Sequence, residues 1–143
     1  MGRLRERCEF STARLSVGEW DGSLAAERSD LVGPDDEDST TLLASDLTSG
    51  APVGLLILFE QPLHNDAADL RIGYLIAAPN PGQGYARELV RGFVDWCRQR
   101  SWVRSISGGV EPDNVASAVV LTRNGFVQQV STRMEAEEYL LEF

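Results

Sequence analysis

The run Asn80-Pro81-Gly82-Gln83-Gly84-Tyr85-Ala86 constrains the fold of this chain more than any other stretch. A strand-like segment, Leu70 to Ala77, leads into it, and a strongly amphipathic segment follows to about Arg100. Ala86, Leu89, Val90, Phe93, Val94 and Cys97 recur at i, i+3, i+4, i+7, i+8 and i+11, with Arg87, Arg91, Asp95 and Arg98 on the opposite side. That spacing predicts a helix with one buried face. A glycine-rich turn from strand into helix leaves the first N–H groups of the helix without partners, at the end where the dipole favours negative charge. Such a turn is an anion cradle, suited to a phosphate or a diphosphate.

The remaining segments supply a sheet for this unit to sit on. Phe10 to Val17 reads as a first strand and Gly18 to Leu31 as a weak helix, followed by an acidic loop, Gly33 to Asp38. Thr40 to Leu47 and Val53 to Glu60 form a hairpin, and Gly54 to Phe59 is apolar on both faces, as a central strand must be. Val103 to Val110 is a further strand. Asp113 or Asn114 caps a shorter helix that stops at Asn124-Gly125, and Phe126 to Ser131 and Glu138 to Phe143 complete the chain as strands.

With 143 residues the chain makes one domain with a real core. All 13 basic residues are Arg, and the formal net charge is −9. That balance argues against a nucleic-acid partner, which needs a basic face, and suits a cationic partner such as an amine. Cys8 and Cys97 are too few for a metal site. No apolar run approaches the roughly 18 residues of a membrane span, and the charged N-terminus is no secretory signal, so a cytoplasmic protein is expected.

Two motifs now meet: the strand, Gly82-x-Gly84-x-Ala86 and helix, then Asn114-x-x-Ser117 with Gly125-Phe126 beyond it. Together they resemble the Gcn5-related N-acetyltransferase (GNAT) superfamily, in its RimJ/RimL branch. Gly73-Tyr74-Leu75, Gly84-Tyr85-Ala86-x-Glu88-Leu89 and the opening Thr12-Ala13-Arg14-Leu15 are similar to that branch as well. The resemblance implies an α/β (α+β) fold: a mixed, mostly antiparallel sheet of about six to seven strands with flanking helices, splayed where the cofactor binds. It implies acetyl-coenzyme A as acetyl donor, no metal, and a primary amine as acceptor, either a peptide N-terminus or a small molecule. On this resemblance the diphosphate goes to the amides of Gly82, Gln83, Gly84, Tyr85 and Ala86. Arg87 either adds charge there or is solvated surface. The backbone of Leu75, Ile76 and Ala77 bonds the pantetheine arm, and Asn114 and Ser117 hold it from the other side.

Three positions depart from the family pattern. Pro81 offers no N–H, Leu121 stands where many members have a proton-donating Tyr, and Gly109 stands where some have a catalytic Glu. The general base is therefore open among Glu60, Asp69 and Glu111, with Glu111 favoured for its nearness to the second motif. His64, the one histidine, reads as a loop residue, and Tyr74 as a wall of the pocket. The short stretch Gly18 to Ser39 leaves the acceptor pocket open or finished by a second subunit, so a homodimer is possible. A catalytically weak module that binds the coenzyme or a partner protein is the alternative. A dinucleotide-binding fold fits poorly, because the turn comes mid-chain and lacks the first glycine of that fingerprint.

Overall fold

The computed structural model describes residues 2–20, 38–77, 84–130 and 136–143. Eight strands form one sheet: β1 (Phe10–Ser11), β2 (Leu15–Glu19), β3 (Thr40–Asp46), β4 (Pro52–Pro62), β5 (Ala68–Ile76), β6 (Val103–Val110), β7 (Val127–Gln129) and β8 (Glu137–Glu142). Their order is β1-β2-β3-β4-β5-β6-β8-β7. Of the paired strands only β5 and β6, joined through α1, run parallel; every other pair is antiparallel, and β6 and β7, joined through α2, are kept apart by β8. The two helices, α1 (Tyr85–Arg98) and α2 (Val115–Arg123), pack on one face of the sheet.

The expected sheet is present with one strand more than anticipated. The first strand is broken in two: Phe10–Ser11 and Leu15–Glu19 pair as a tight hairpin, with Thr12 N donating to Leu15 O at 2.8 Å. Gly18 and Glu19 belong to β2, and Trp20 continues its ladder by donating to Thr41 O, so no helix begins at Gly18. The rest of that expected helix, the acidic loop Gly33–Asp38 up to residue 37, and Pro81, Gly82 and Gln83 lie outside the described residues.

Apolar alternation fixes the faces. On β5 the side chains of Leu70, Ile72, Tyr74 and Ile76 meet the helices, joined from β6 by Ile106 and Val110. Phe93, Leu89 and Val90 of α1 fill the centre without exposure. Trp96, outside the predicted apolar stripe, is buried too, stacked on Phe93 at 6.0 Å and edge-on to Trp102 at 6.3 Å. Ala86 is only half-buried. The helix ends two residues before Arg100, whose guanidinium lies 3.6 Å over the Trp96 ring and donates to Trp96 O, closing the last turn. Among the described residues no helix is long and apolar enough to cross a membrane.

Candidate active site

The parallel pairing of β5 with β6 runs from Ala68↔Val103 to Ile72↔Gly108 and then stops, although both strands continue. Beyond that point Gly73–Ile76 and Gly109–Val110 diverge and a gap opens in the sheet. A cavity of about 210 Å³ occupies it, lined on the helix side by Tyr74, Asn114, Ser117 and Leu121 and at its mouth by Glu111.

Register tells which backbone groups look into the gap. Ala77 N donates to Val53 O at 2.7 Å, so the odd-numbered residues of β5 turn their polar groups to β4. The N–H and C=O of Tyr74 and Ile76 therefore point at the gap, while those of Leu75 and Ala77 do not. Phe143 N donates to Arg104 O on the other flank, which gives the even residues of β6 to β8 and leaves the amide of Gly109 facing the gap. Of the three residues expected to bond an extended ligand, only Ile76 has its backbone so placed; Tyr74 and Gly109 are additions.

At the start of α1, Gly84 occupies the left-handed region at φ 78°, which a glycine adopts without strain, and no side chain caps the helix. Glu88 N is the first to find a helical acceptor, at Gly84 O. The N–H groups of Tyr85, Ala86 and Arg87 are thus without acceptors among the described residues. The Arg87 side chain is exposed. A second cation is nearer: the Arg14 guanidinium lies 4.2 Å over the Tyr85 ring, with Nη2 3.6 Å from where a Cβ on Gly84 would stand. Glu88 holds it there, accepting from Arg14 Nε at 2.6 Å, from Arg14 N at 2.8 Å and from Thr12 Oγ1. Burial pushes the Glu88 carboxyl up, but these donors together outweigh it and hold the group below its ordinary value. Sequence reasoning noted Thr12 and Arg14 as pattern and missed this role, because Glu88 is 74 residues from Arg14.

On α2, Asn114 Oδ1 accepts from Ser117 N at 3.1 Å, a true N-cap, and Ser117 O accepts from the Tyr74 hydroxyl at 3.4 Å. Replacing Asn114 by Ala is expected to cost about 1 kcal/mol. A thermal melt should fall by roughly 3–5 °C, and an unchanged midpoint would refute the cap's contribution. Burial raises the Tyr74 pKa, so the phenol stays protonated and donates. Leu121 is buried and offers no proton.

Of the three candidate carboxylates, the structure brings only Glu111 to the gap, where it is exposed. Glu60 is bound to Arg5 at 3.1 Å. Asp69, 6% exposed, accepts from Ser105 Oγ at 2.7 Å and Ser107 Oγ at 2.6 Å, about 13 Å along the strand from Gly73. His64 lies in an exposed turn before β5, at the far end of the strand from the gap. Among the described residues no group of three or more His, Cys, Asp or Glu could hold a metal.

Comparison with curated protein sequences finds no match. Solved structures share the fold at low identity. An acetyltransferase of the GNAT family from Bacillus anthracis superposes with TM-score 0.72 at 12% identity, over 93% of this chain and 96% of that one. RimL, a ribosomal L7/L12 alpha-N-protein acetyltransferase in complex with coenzyme A, gives 0.69 at 17%, over 96% and 98%. The ribosomal-protein-S5-alanine acetyltransferase from Vibrio fischeri gives 0.66 at 17%, over 93% and 94%. The family model of the acetyltransferase (GNAT) domain matches residues 12–127, from the Thr12 that binds Glu88 to the first residue of β7. With most of its length under that model, and with the gap and the uncapped helix start in their places, the chain belongs to the GNAT acetyltransferase family.

Proposed function

We propose that the protein transfers an acetyl group from acetyl-coenzyme A to a primary amine, a peptide N-terminus or a small molecule, in a ternary complex. The observation that carries this reading is that β5, one edge of the gap, precedes in sequence the start of α1, where the amides of Tyr85, Ala86 and Arg87 have no acceptor among the described residues and Arg14 lies beside Gly84. The residues suit the donor. A diphosphate finds the amides of Tyr85, Ala86 and Arg87 and the cation of Arg14. An amide-bearing arm finds the backbone of Tyr74, Ile76 and Gly109 along the gap, with Asn114 and Ser117 on the facing wall. RimL and the aminoglycoside acetyltransferase AAC(6')-Ib, which share the fold, have both been solved with coenzyme A.

The coenzyme supplies an acetyl group activated as a thioester. The chain must then dispose of charge. An alkyl amine, with pKa about 10.4, arrives protonated, and one proton has to leave before it can attack. Glu111, exposed at the mouth, relays that proton to water. The backbone N–H groups that face the gap offer donors to the oxyanion, while the Tyr74 hydroxyl donates to Ser117 O and Leu121 has no proton to give.

Calorimetric titration with acetyl-coenzyme A, coenzyme A and a dinucleotide tests the donor; binding of the acetylated coenzyme at about micromolar Kd is expected. Release of free coenzyme thiol in the presence of amines tests the transfer. Burial pushes the Cys8 thiol up to about 12 and raises Cys97 as well, so neither competes for a thiol reagent in the folded protein. Binding without turnover of any amine would favour an inactive coenzyme-binding module, and no binding to a folded protein would overturn the reading.

A further inference from the structure

β1 is the last strand of the sheet and pairs on one side only, with β2. Thr12 N donates to Leu15 O, so by the alternation of an antiparallel ladder the N–H and C=O of Ser11 point away from β2, to the free edge. Ser11 is exposed, and among the described residues neither of these groups has a partner. An edge with open donors and acceptors is a template for another strand. With only two residues in β1, that edge offers little more than the two bonds of Ser11, so other contacts must add to them.

The other contacts are at hand in a groove of about 500 Å³ between β1 and α1. A Cβ on Gly92 would stand 2.7 Å from both the Phe10 ring and the Thr12 methyl. The bare backbone at Gly92 thus lets β1 sit directly on the helix, with Ser11 level with it. Five charged side chains line the groove: Glu9, Glu88, Arg91, Asp95 and Arg100. Three are engaged within the chain, Glu9 by Arg7, Glu88 by Arg14 and Arg100 by Glu6. Arg91 and Asp95, one turn apart and both exposed, make no ion pair among the described residues. One free cation and one free anion on a single helix face are each other's complement, between copies as well as within one.

We propose that two copies of this chain pair along β1, Ser11 against Ser11 about a two-fold axis, so that the sheet continues from one copy into the other. The pairing is its own complement: Ser11 N–H of each copy donates to Ser11 C=O of the other. The axis passes level with Gly92 and sets the two α1 helices antiparallel. Arg91 of each copy then turns to the partner's Asp95, and the groove fills with the partner's side chains. The inference is independent of the acetyl-transfer reading and concerns a different part of the molecule.

Sedimentation equilibrium tests it. Wild type is expected to dimerise with a Kd of roughly micromolar size, at the weak end for such a small interface. Ser11→Pro removes the donated bond of both copies and should raise Kd about 10-fold or more. Proline at an outward-facing edge position is tolerated, so the melting point of the monomer should hold. Asp95→Arg sets like charges across the axis and should raise Kd by at least about 10-fold. Adding Arg91→Asp to it exchanges the two charges and should restore the dimer, an outcome that a structural role for Asp95 would not produce. If the proline variant fails to fold, the charge variants decide alone. Wild type that stays monomeric to about 100 μM, far above such a Kd, would overturn the inference. So would a dimer indifferent to the charge variants, because its interface would lie elsewhere.

Discussion

Glu88→Ala is expected to lower the unfolding free energy by about 3 kcal/mol, within the range for removing one member of a partly buried, charge-assisted network. One carboxylate serves two donors of Arg14 and the hydroxyl of Thr12, and its side chain is 19% exposed. The loss strands a backbone N–H and a guanidinium together. Partial exposure keeps the figure below that of a fully buried pair. The effect should depend on pH with a definite sign. Because the folded-state pKa of Glu88 lies below its ordinary value, its contribution is fully present above the ordinary carboxylate pKa of about 4.3. It is lost as pH falls through the folded value. Urea unfolding at pH 7 should therefore separate wild type from variant more widely than unfolding near pH 3. An equal difference at the two values would rule out an ionised Glu88 as the stabilising species. Acetyl-coenzyme A should also bind the variant more weakly, because Arg14 loses its anchor beside Gly84.

Gly54→Ala should destabilise by about 2 kcal/mol, against the usual trend. Alanine in place of glycine within a strand normally gains about 0.5–1 kcal/mol from backbone entropy. Here a Cβ would stand 2.4 Å from Leu75 O, 3.0 Å from Ile76 Cδ1 and 3.3 Å from Ile76 Cα. The nearest atom is backbone in the adjacent strand, so it cannot swing aside, and overpacking of this kind costs about 1–3 kcal/mol or more. The displaced segment is the β5 rim of the gap. Loss of stability in urea should therefore accompany weaker binding of acetyl-coenzyme A in calorimetry. A variant as stable as wild type with full affinity would contradict the argument.

What was legible in the sequence is what local pattern encodes. α1 and β6 were read closely because each carries its periodicity within itself, and β6 runs from Val103 to Val110 as expected. The Asn114 cap needed only the residue type and the helix after it. The break between β1 and β2 was not legible, since its cause is contact with the distant Glu88. Trp96 was missed because a tryptophan beside an apolar stripe is covered only when Trp102 and Arg100 fold back on it. Among carboxylates, nearness to the second motif pointed to Glu111, which lines the gap, whereas Glu60 and Asp69, near strand ends, are engaged by Arg5 and by two serines. Glu138 comes to Arg71 beside Gly109 only because β8 inserts between β6 and β7, a strand order that no local signal carries.

The end of pairing at Ile72 and Gly108 makes the sheet a partition with a slot through it. In the proposed transfer, a donor on the helix side and an acceptor on the other face of the sheet would use separate doorways and meet only inside. Neither has to wait for the other to enter, and neither blocks the other's exit. A two-substrate reaction run through such a slot has no built-in order of addition: initial-rate plots should intersect, and each product should inhibit competitively against the substrate that shares its doorway.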